Sequence, residues 1–443
     1  MDDINILDGY LVKATPEMNI IDIERKLSSD DILKKGLLFA GSARQGKTNV
    51  MMKITSDIIY SLNCNDVMVI LDVKGDYKKS FYQTGDIILS PTDDTFLWNI
   101  FDELKIIPFG NELDNRVRET VEYFFYGLES AREPFGTNAA KIITYCLIMY
   151  LLLEADSRDD DSNLNHYELC KLIDGVTNDN STVDAYENYR QILNSYTKFK
   201  VANLFLPPLD SGMMGPSVIT EIIVMRQRMF VATFGEKIKK RQQAYITPGI
   251  IPKLTGSKII FLEFNQRYRK TCIPVFRYFV DMLIAEYTGS EDNHRGRLFL
   301  MLDELAILPE LNNLSFALSL GAGLGIRVIA TLQEIEQIKN NYQEHPHNAE
   351  VLIGAFQSQI IFNSDINTIE YFQRLFGKAL VQRIFIKPGG GIGYTEPVSA
   401  NTIETHEIQT LYQFFCTQHR PSDYNSRKFF ISFSVPRSVY NTC

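Results

Sequence analysis

Long apolar runs are missing from this sequence, and so are paired cysteines, a surplus of basic residues and any internal repeat. No stretch reaches the ~18 unbroken apolar residues that a membrane-crossing helix needs. The nearest approach, Ile142 to Leu153, lies between Lys141 and Glu154 and reads as a helix of the protein core. The six cysteines (Cys64, Cys146, Cys170, Cys272, Cys416, Cys443) are scattered, with no C-x-x-C pair and no secretory signal ahead of them. That pattern excludes a disulfide framework and fits a reducing cytosol. The acidic start at Asp2 and Asp3 excludes a targeting peptide. A net charge of −9 excludes a protein that coats nucleic acid by bulk charge, but it is compatible with a local basic channel. Apolar material is plentiful: 45% of the 443 residues are hydrophobic and 22% are charged. Such a chain can bury one large core or two medium ones.

The stretch with the sharpest chemistry is Gly41, Ser42, Ala43, Arg44, Gln45, Gly46, Lys47 and Thr48, which reads G-x-x-x-x-G-K-T. It follows the apolar run Leu37 to Ala40 and precedes a helical pattern from Asn49, the strand-to-helix context of a phosphate-binding loop. The glycines let successive backbone N–H groups face one concave spot, and the following helix adds its partial positive end. In such a loop Lys47 bridges the β- and γ-phosphates of ATP, and the Thr48 hydroxyl ligates Mg²⁺.

Strand and helix patterns alternate on either side of a helical middle. Residues 1–35 are mixed and polar, with a helical patch at Asp22 to Leu27 and a helix cap at Ser28 to Asp31. Asp66 to Leu71 is a continuous apolar run suited to a strand buried on both faces of a parallel sheet. Ile87 to Leu89 predicts another strand, and Trp98 to Phe101 a loop or turn. From Arg116 the period changes: helices are predicted over Arg116 to Leu128, Ala139 to Glu154, Tyr167 to Ile173 and Ser217 to Phe234. Strands return at Ser257 to Phe264, Arg297 to Leu302, Ile326 to Thr331 and Gln357 to Phe362, with a helix from Cys272 to Tyr287. After Lys387 the glycines at 389–391 and 393 predict an irregular or hairpin extension. The expected organisation is a lead-in (1–35), a two-segment nucleotide-binding domain (36–115 and 245–443) and an all-α insertion (116–244). Alternation of this kind predicts right-handed crossovers and an α/β fold with a parallel-rich sheet.

The strand Arg297 to Leu302 ends in Asp303 and Glu304, the form of a Walker B motif. At the carboxyl end of such a strand Asp303 holds Mg²⁺, and Glu304 polarises the attacking water. Two acidic residues at a strand-to-helix junction also serve as plain helix caps.

With these motifs in order, the chain resembles the type IV coupling proteins of bacterial conjugation and secretion, the TraG/TraD group. The resemblance rests on the P-loop, Asp72 to Asp76, Trp98-Asn99, Pro134-Phe135 with Ala139-Ala140, Leu302 to Ala306, Gly321 to Arg327 and Thr331 to Gln333. It implies a RecA-like P-loop ATPase with an inserted all-α domain, assembled as a hexameric ring with ATP hydrolysed at subunit interfaces. It further implies partners: DNA, relaxase-bound or free, secreted proteins, and a type IV secretion channel. Gln333 takes the family's sensor position, where it contacts the γ-phosphate or the attacking water; a surface amide at a strand end is the plainer alternative. One branch of the family places an arginine finger where this chain has Ala322, and the nearby Arg327 falls mid-strand, where pairing with a local carboxylate is expected. Coupling proteins usually begin with two membrane helices, and no segment here has that length. The expected location is therefore the cytoplasm, or the inner face of the membrane through an anchoring partner.

Weaker signals remain. Arg267, Tyr268, Arg269 and Lys270 interleave cations with an aromatic in the manner of a DNA-tracking surface, although a solvated strand-to-helix turn looks the same. Glu236 to Arg241 is a charge run at a helix end, and His345-Pro-His347 is too sparse for a metal site. Two readings of other classes stay open: a soluble DNA translocase of the FtsK/HerA kind in segregation or defence, and a substrate-recruitment platform without DNA pumping.

Overall fold

A computed structural model describes residues 12–13, 28–128, 134–177, 214–235, 244–253, 258–289, 296–342, 346–362, 364–376, 378–386, 392–401 and 430–433. The chain divides into two compact units, Met1–Leu71 with Arg297–Cys443, and Asp72–Gly296. Strands are numbered in chain order: β1 (Val12–Lys13), β2 (Leu37–Ala40), β3 (Val67–Asp72), β4 (Ile87–Leu89), β5 (Phe96–Trp98), β6 (Ala244–Ile246) and β7 (Lys258–Glu263). They continue with β8 (Leu298–Leu302), β9 (Ile326–Leu332), β10 (Ser358–Ile361), β11 (Lys378–Ile386), β12 (Ile392–Asn401) and β13 (Phe430–Phe433).

The first unit is built on a sheet in the order β1-β13-β10-β2-β9-β8-β3. β10, β2, β9, β8 and β3 run parallel, whereas β13 is antiparallel to β10 and to β1. β2, β8 and β9 are buried at every residue, as continuous apolar strands must be when both faces of a parallel sheet are covered. The order places β2 beside β9 and β9 beside β8, so the two motifs of the sequence end at strand termini with only β9 between them. β11 and β12 form the hairpin expected near the glycine-rich segment, starting earlier than Lys387; residues 387–391 lie outside the described ones.

The second unit joins short parallel pairs, β4 with β7 and β5 with β6, to a set of helices. Helix Pro134–Arg158 packs against Asn111–Phe125, His166–Thr177 and Met214–Met229. Among the described residues it alone is long and apolar enough to cross a membrane, and 72% of its apolar window is buried inside the protein. One expectation is corrected here. Of the segment Trp98 to Phe101 only Asn99 and Ile100 are a loop or turn: Trp98 ends the strand Phe96–Trp98 and Phe101 begins the helix Phe101–Leu104. The partner of β5 is β6, far along the chain, so local periodicity carries no sign of the pairing. The patches Asp22 to Leu27 and Glu236 to Arg241 lie outside the described residues.

Trp98 anchors the second unit's core. Its ring lies 4.7 Å from that of His166, edge-on, and is stacked on Phe230 at 6.3 Å. His166 is fully buried with both nitrogens used: Nδ1 donates to the Phe234 carbonyl (2.7 Å), and Nε2 accepts from the Ile100 N–H (3.0 Å). Asn99 closes the same corner, donating to the Leu164 carbonyl and Asp102 at 3.0 Å each. The Trp98-Asn99 pair is therefore a packing and hydrogen-bonding element.

Candidate active site

The P-loop turns off the end of β2. Its backbone reverses through left-handed conformations at Arg44 (φ 64°) and Gly46 (φ 94°), and helix Lys47–Tyr60 follows at once. Gly46 suits its position because the absence of a Cβ makes that region accessible without strain. Lys47 is 7% exposed; its ammonium donates to the carbonyl of Gly41 and to that of Ser42 (2.8 Å). The lysine thus folds back over its own loop at a helix amino terminus, where the helix dipole already favours an anion. Ser42, Gln45, Gly46 and Thr48 are half-buried, and Ala43 and Arg44 are exposed. The Gln45 Oε1 is buried without a hydrogen-bond partner.

The acidic pair stands at the end of β8. Parallel register pairs Leu302 with Ala330, which brings the next residues, Asp303 and Thr331, abreast. The Thr331 hydroxyl donates to Asp303 Oδ1 (3.2 Å) and accepts the Glu304 N–H (2.8 Å). Strand alternation sends Gln333 to the same side as Thr331, and its amide donates to Glu304 Oε2. Glu304 itself is left-handed (φ 73°, ψ 74°), a conformation a non-glycine residue keeps only where its surroundings over-determine it. Burial pushes its carboxyl pKa up, against the Gln333 hydrogen bond and the charge of Lys47. The Gly41 N–H donates to the Leu332 carbonyl (3.0 Å), next to Gln333, which puts the loop and the acidic pair in one corner of one unit.

Glu304 precedes the short turn Leu305–Ile307 but its side chain makes no capping hydrogen bond. The helix-cap role is thereby set aside. Glu304 Oε1 is instead buried with no hydrogen-bond partner. A cationic loop, a half-buried hydroxyl at Thr48, a carboxylate 5% exposed at Asp303 and a raised carboxyl with an open oxygen form the donor set that a nucleoside triphosphate and a hard divalent cation require.

Other sequence candidates fall elsewhere. Arg327 is buried and tied to Asp30, Nε to Oδ1 at 2.8 Å, as its mid-strand position predicts. Burial raises the Asp30 carboxyl, but hydrogen bonds from Arg327 and Lys34 outweigh it and hold the pKa down to about 2. Asp72 accepts from the N–H groups of Gly75 (2.8 Å) and Lys78 (2.7 Å), so the Asp72 to Asp76 segment caps helix Asp76–Phe81. In the second unit, Arg267, Arg269 and Lys270 are exposed and Tyr268 is half-buried, around the start of helix Arg269–Thr288. His345 lies outside the described residues. Sequence reasoning assigned no role to Thr331; an offset of one residue past a strand pairing was its only signal.

A family model described as the type IV secretion-system coupling protein DNA-binding domain matches residues 29–159 and 238–410, well over half the chain. The chain belongs to that family. The coupling-protein fold is equally plain in solved structures. The TrwB conjugative coupling protein, in an unbound form, superposes with a TM-score of 0.68 at 20% identity, covering 92% of this chain and 84% of that one. A sulphate complex of TrwB gives 0.69 at 19% identity over 97% and 92%. TrwB with ADP and Mg²⁺ gives 0.67 at 19% identity over 92% and 84%. The conjugal transfer protein TraG of Escherichia coli is 25% identical over 125 residues, 26% of this chain and 20% of TraG. This coupling-protein family member therefore has the α/β, RecA-like P-loop fold with a mostly parallel sheet.

Proposed function

We propose that this coupling-protein family member hydrolyses ATP with Mg²⁺, recruiting DNA, protein substrates or both and energising their transfer in conjugation or type IV secretion. The observation that carries the proposal is the Asp303–Glu304 pair, held by Thr331 and Gln333 within electrostatic reach of the P-loop lysine. TrwB has been solved with ADP and Mg²⁺ and with an ATP analogue, which supports the same ligands here.

Each residue has a role in this reading. The backbone of Gly41 to Thr48 binds the phosphates, and Lys47 exchanges its loop carbonyls for phosphate oxygens. Thr48 and Asp303 hold the metal ion. Bound Mg²⁺ neutralises charge on the phosphates. Glu304 takes the proton of the attacking water, and its raised pKa makes it a better base than an exposed carboxylate. Gln333 orients Glu304 and the water. The arginine that completes such a site comes from elsewhere than Arg327, which Asp30 holds.

The proposal extends to a hexameric ring, to residues 116–244 as an inserted all-α domain, and to Arg267, Tyr268, Arg269 and Lys270 as DNA contacts. It places the chain in the cytoplasm or at the inner membrane face, beside a secretion channel or an anchoring partner. The deciding experiment is the steady-state ATPase rate with and without single- and double-stranded DNA, across protein concentration, with Lys47→Ala as control. Stimulation by DNA and a rate per subunit that climbs with concentration are expected. Turnover that survives Lys47→Ala overturns the site. Hydrolysis indifferent to DNA transfers the weight to protein recruitment, a reading that the net charge of −9 favours.

A further inference from the structure

We infer that Thr331 is a positioning residue for the hydrolytic step, setting Asp303 and Glu304 through one hydroxyl; this rests on the ATP-hydrolysis reading above. A hydroxyl has one hydrogen to give and lone pairs to accept. Here the hydrogen goes to Asp303 Oδ1 at 3.2 Å, and a lone pair takes the Glu304 N–H at 2.8 Å. A hydroxyl meets both demands at once, because Asp303 offers an acceptor and Glu304 a donor. Thr331 is 1% exposed at the end of a strand buried throughout, so water does not substitute for the hydroxyl.

The second link is conformational. Glu304 keeps its left-handed backbone (φ 73°) while its side chain must meet the Gln333 amide. The bond from its N–H to Thr331 ties that strained residue to β9, and Gln333, one residue past the end of that strand, ties down its carboxylate. β9 and the residue that follows it therefore hold Glu304 at two points, backbone and side chain. The Thr331 hydroxyl is the point that also reaches the metal-binding carboxylate, so it makes the placement of base and metal ligand interdependent. Loss of an outer-shell partner of this kind typically reduces activity or metal affinity by ~10–100-fold.

The test compares Thr331→Val, which keeps the shape and removes the hydroxyl, with Thr331→Ser, which keeps the hydroxyl. In the nucleotide-free chain, hydrogen exchange of the segment 298–308 is followed by mass spectrometry. Thr331→Val is expected to accelerate exchange at the Glu304 amide, and Thr331→Ser to restore protection. In turnover, Thr331→Val is expected to lower kcat by ~10–100-fold and raise the Mg²⁺ concentration for half-maximal rate, with KM for ATP within a few-fold of wild type. Thr331→Ser should recover most of kcat. Wild-type exchange and wild-type kcat in Thr331→Val together overturn the inference, as does a loss that serine fails to rescue in a folded variant. A wild-type chain that does not hydrolyse ATP overturns the functional proposal instead, and the exchange comparison still decides whether Thr331 holds Glu304.

Discussion

Two buried polar corners of this protein are built on opposite principles. Around His166 in the second unit both ring nitrogens are paired, the neighbours are aromatic, and the two backbone partners come from separate segments. Around Glu304 in the first unit the backbone is left-handed, one carboxylate oxygen is buried without a partner and the pKa is pushed up. Both corners hold an ionisable group away from water. In the first the ionisable ring is fully paired, although the Trp98 Nε1 beside it is buried without a partner; in the second the ionisable group itself carries both the unpaired oxygen and the left-handed backbone, at an energetic cost that a bound ligand would offset. Neither burial nor one unpaired atom separates function from architecture; at Glu304 the unpaired oxygen and the strained backbone fall on the same ionisable residue.

The comparison is broken most forcefully at Glu304. Glu304→Gln keeps the size and the Gln333 contact but removes the base, so kcat should fall by ~10²–10⁴-fold with nucleotide still bound. The same change should raise stability at neutral pH. A carboxyl whose folded pKa is raised binds more protons folded than unfolded between its two pKa values, so ionising it costs stability as pH rises through that window. A variant that is as active as wild type, or less stable at pH 7, would falsify the assignment of an open, strained base.

His166→Ala is the converse substitution. It orphans the Ile100 N–H and the Phe234 carbonyl and leaves a cavity beside Trp98, so unfolding should be easier by about 3–5 kcal/mol. Denaturant titration followed by fluorescence reads this directly, because Trp98 is the only tryptophan. ATP binding should persist under native conditions; its loss in a folded variant would show that the two corners are not independent.

The histidine also predicts an acid transition. Burial, opposed only by the Phe234 hydrogen bond, holds its pKa down to about 4 against an ordinary value of 6.5. Between those values the unfolded chain binds the extra proton, so stability present above pH 6.5 is lost as pH falls towards 4, by about 3 kcal/mol in full. Trp98 fluorescence across that range measures it, and a flat profile argues against a neutral buried imidazole. The smallest expected effect is at the exposed cations: Arg269→Ala and Lys270→Ala should each weaken DNA binding and lower the slope of log affinity against log salt by ~0.9. An unchanged slope removes those residues from the DNA surface.

Most of the candidate site was legible in the sequence, for a local reason. Gly41 to Thr48 carries its meaning in consecutive residues, and Asp303-Glu304 follows one unbroken apolar strand. Helix and strand types were readable wherever the apolar period was sustained, as in Leu298–Leu302 and Pro134–Arg158. Short elements whose partners lie far along the chain were not: Trp98 read as part of a loop because Phe96–Trp98 is a strand only beside Ala244–Ile246. His166 carried no sequence signal, since a lone histidine on a helix looks the same whether it is buried or solvated.

Composition and short-range pattern thus settled the fold class, the phosphate loop and the acidic pair, because backbone sterics, helical period and strand burial act within a dozen residues. Register settled the rest. That Thr331 stands beside Asp303, that Gln333 reaches Glu304 and that Arg327 is spoken for by Asp30 all follow from which residues of β8, β9 and the helix Asp30–Leu33 come abreast. Such alignments are properties of the assembled sheet, in which a shift of one residue turns every side chain to the opposite face.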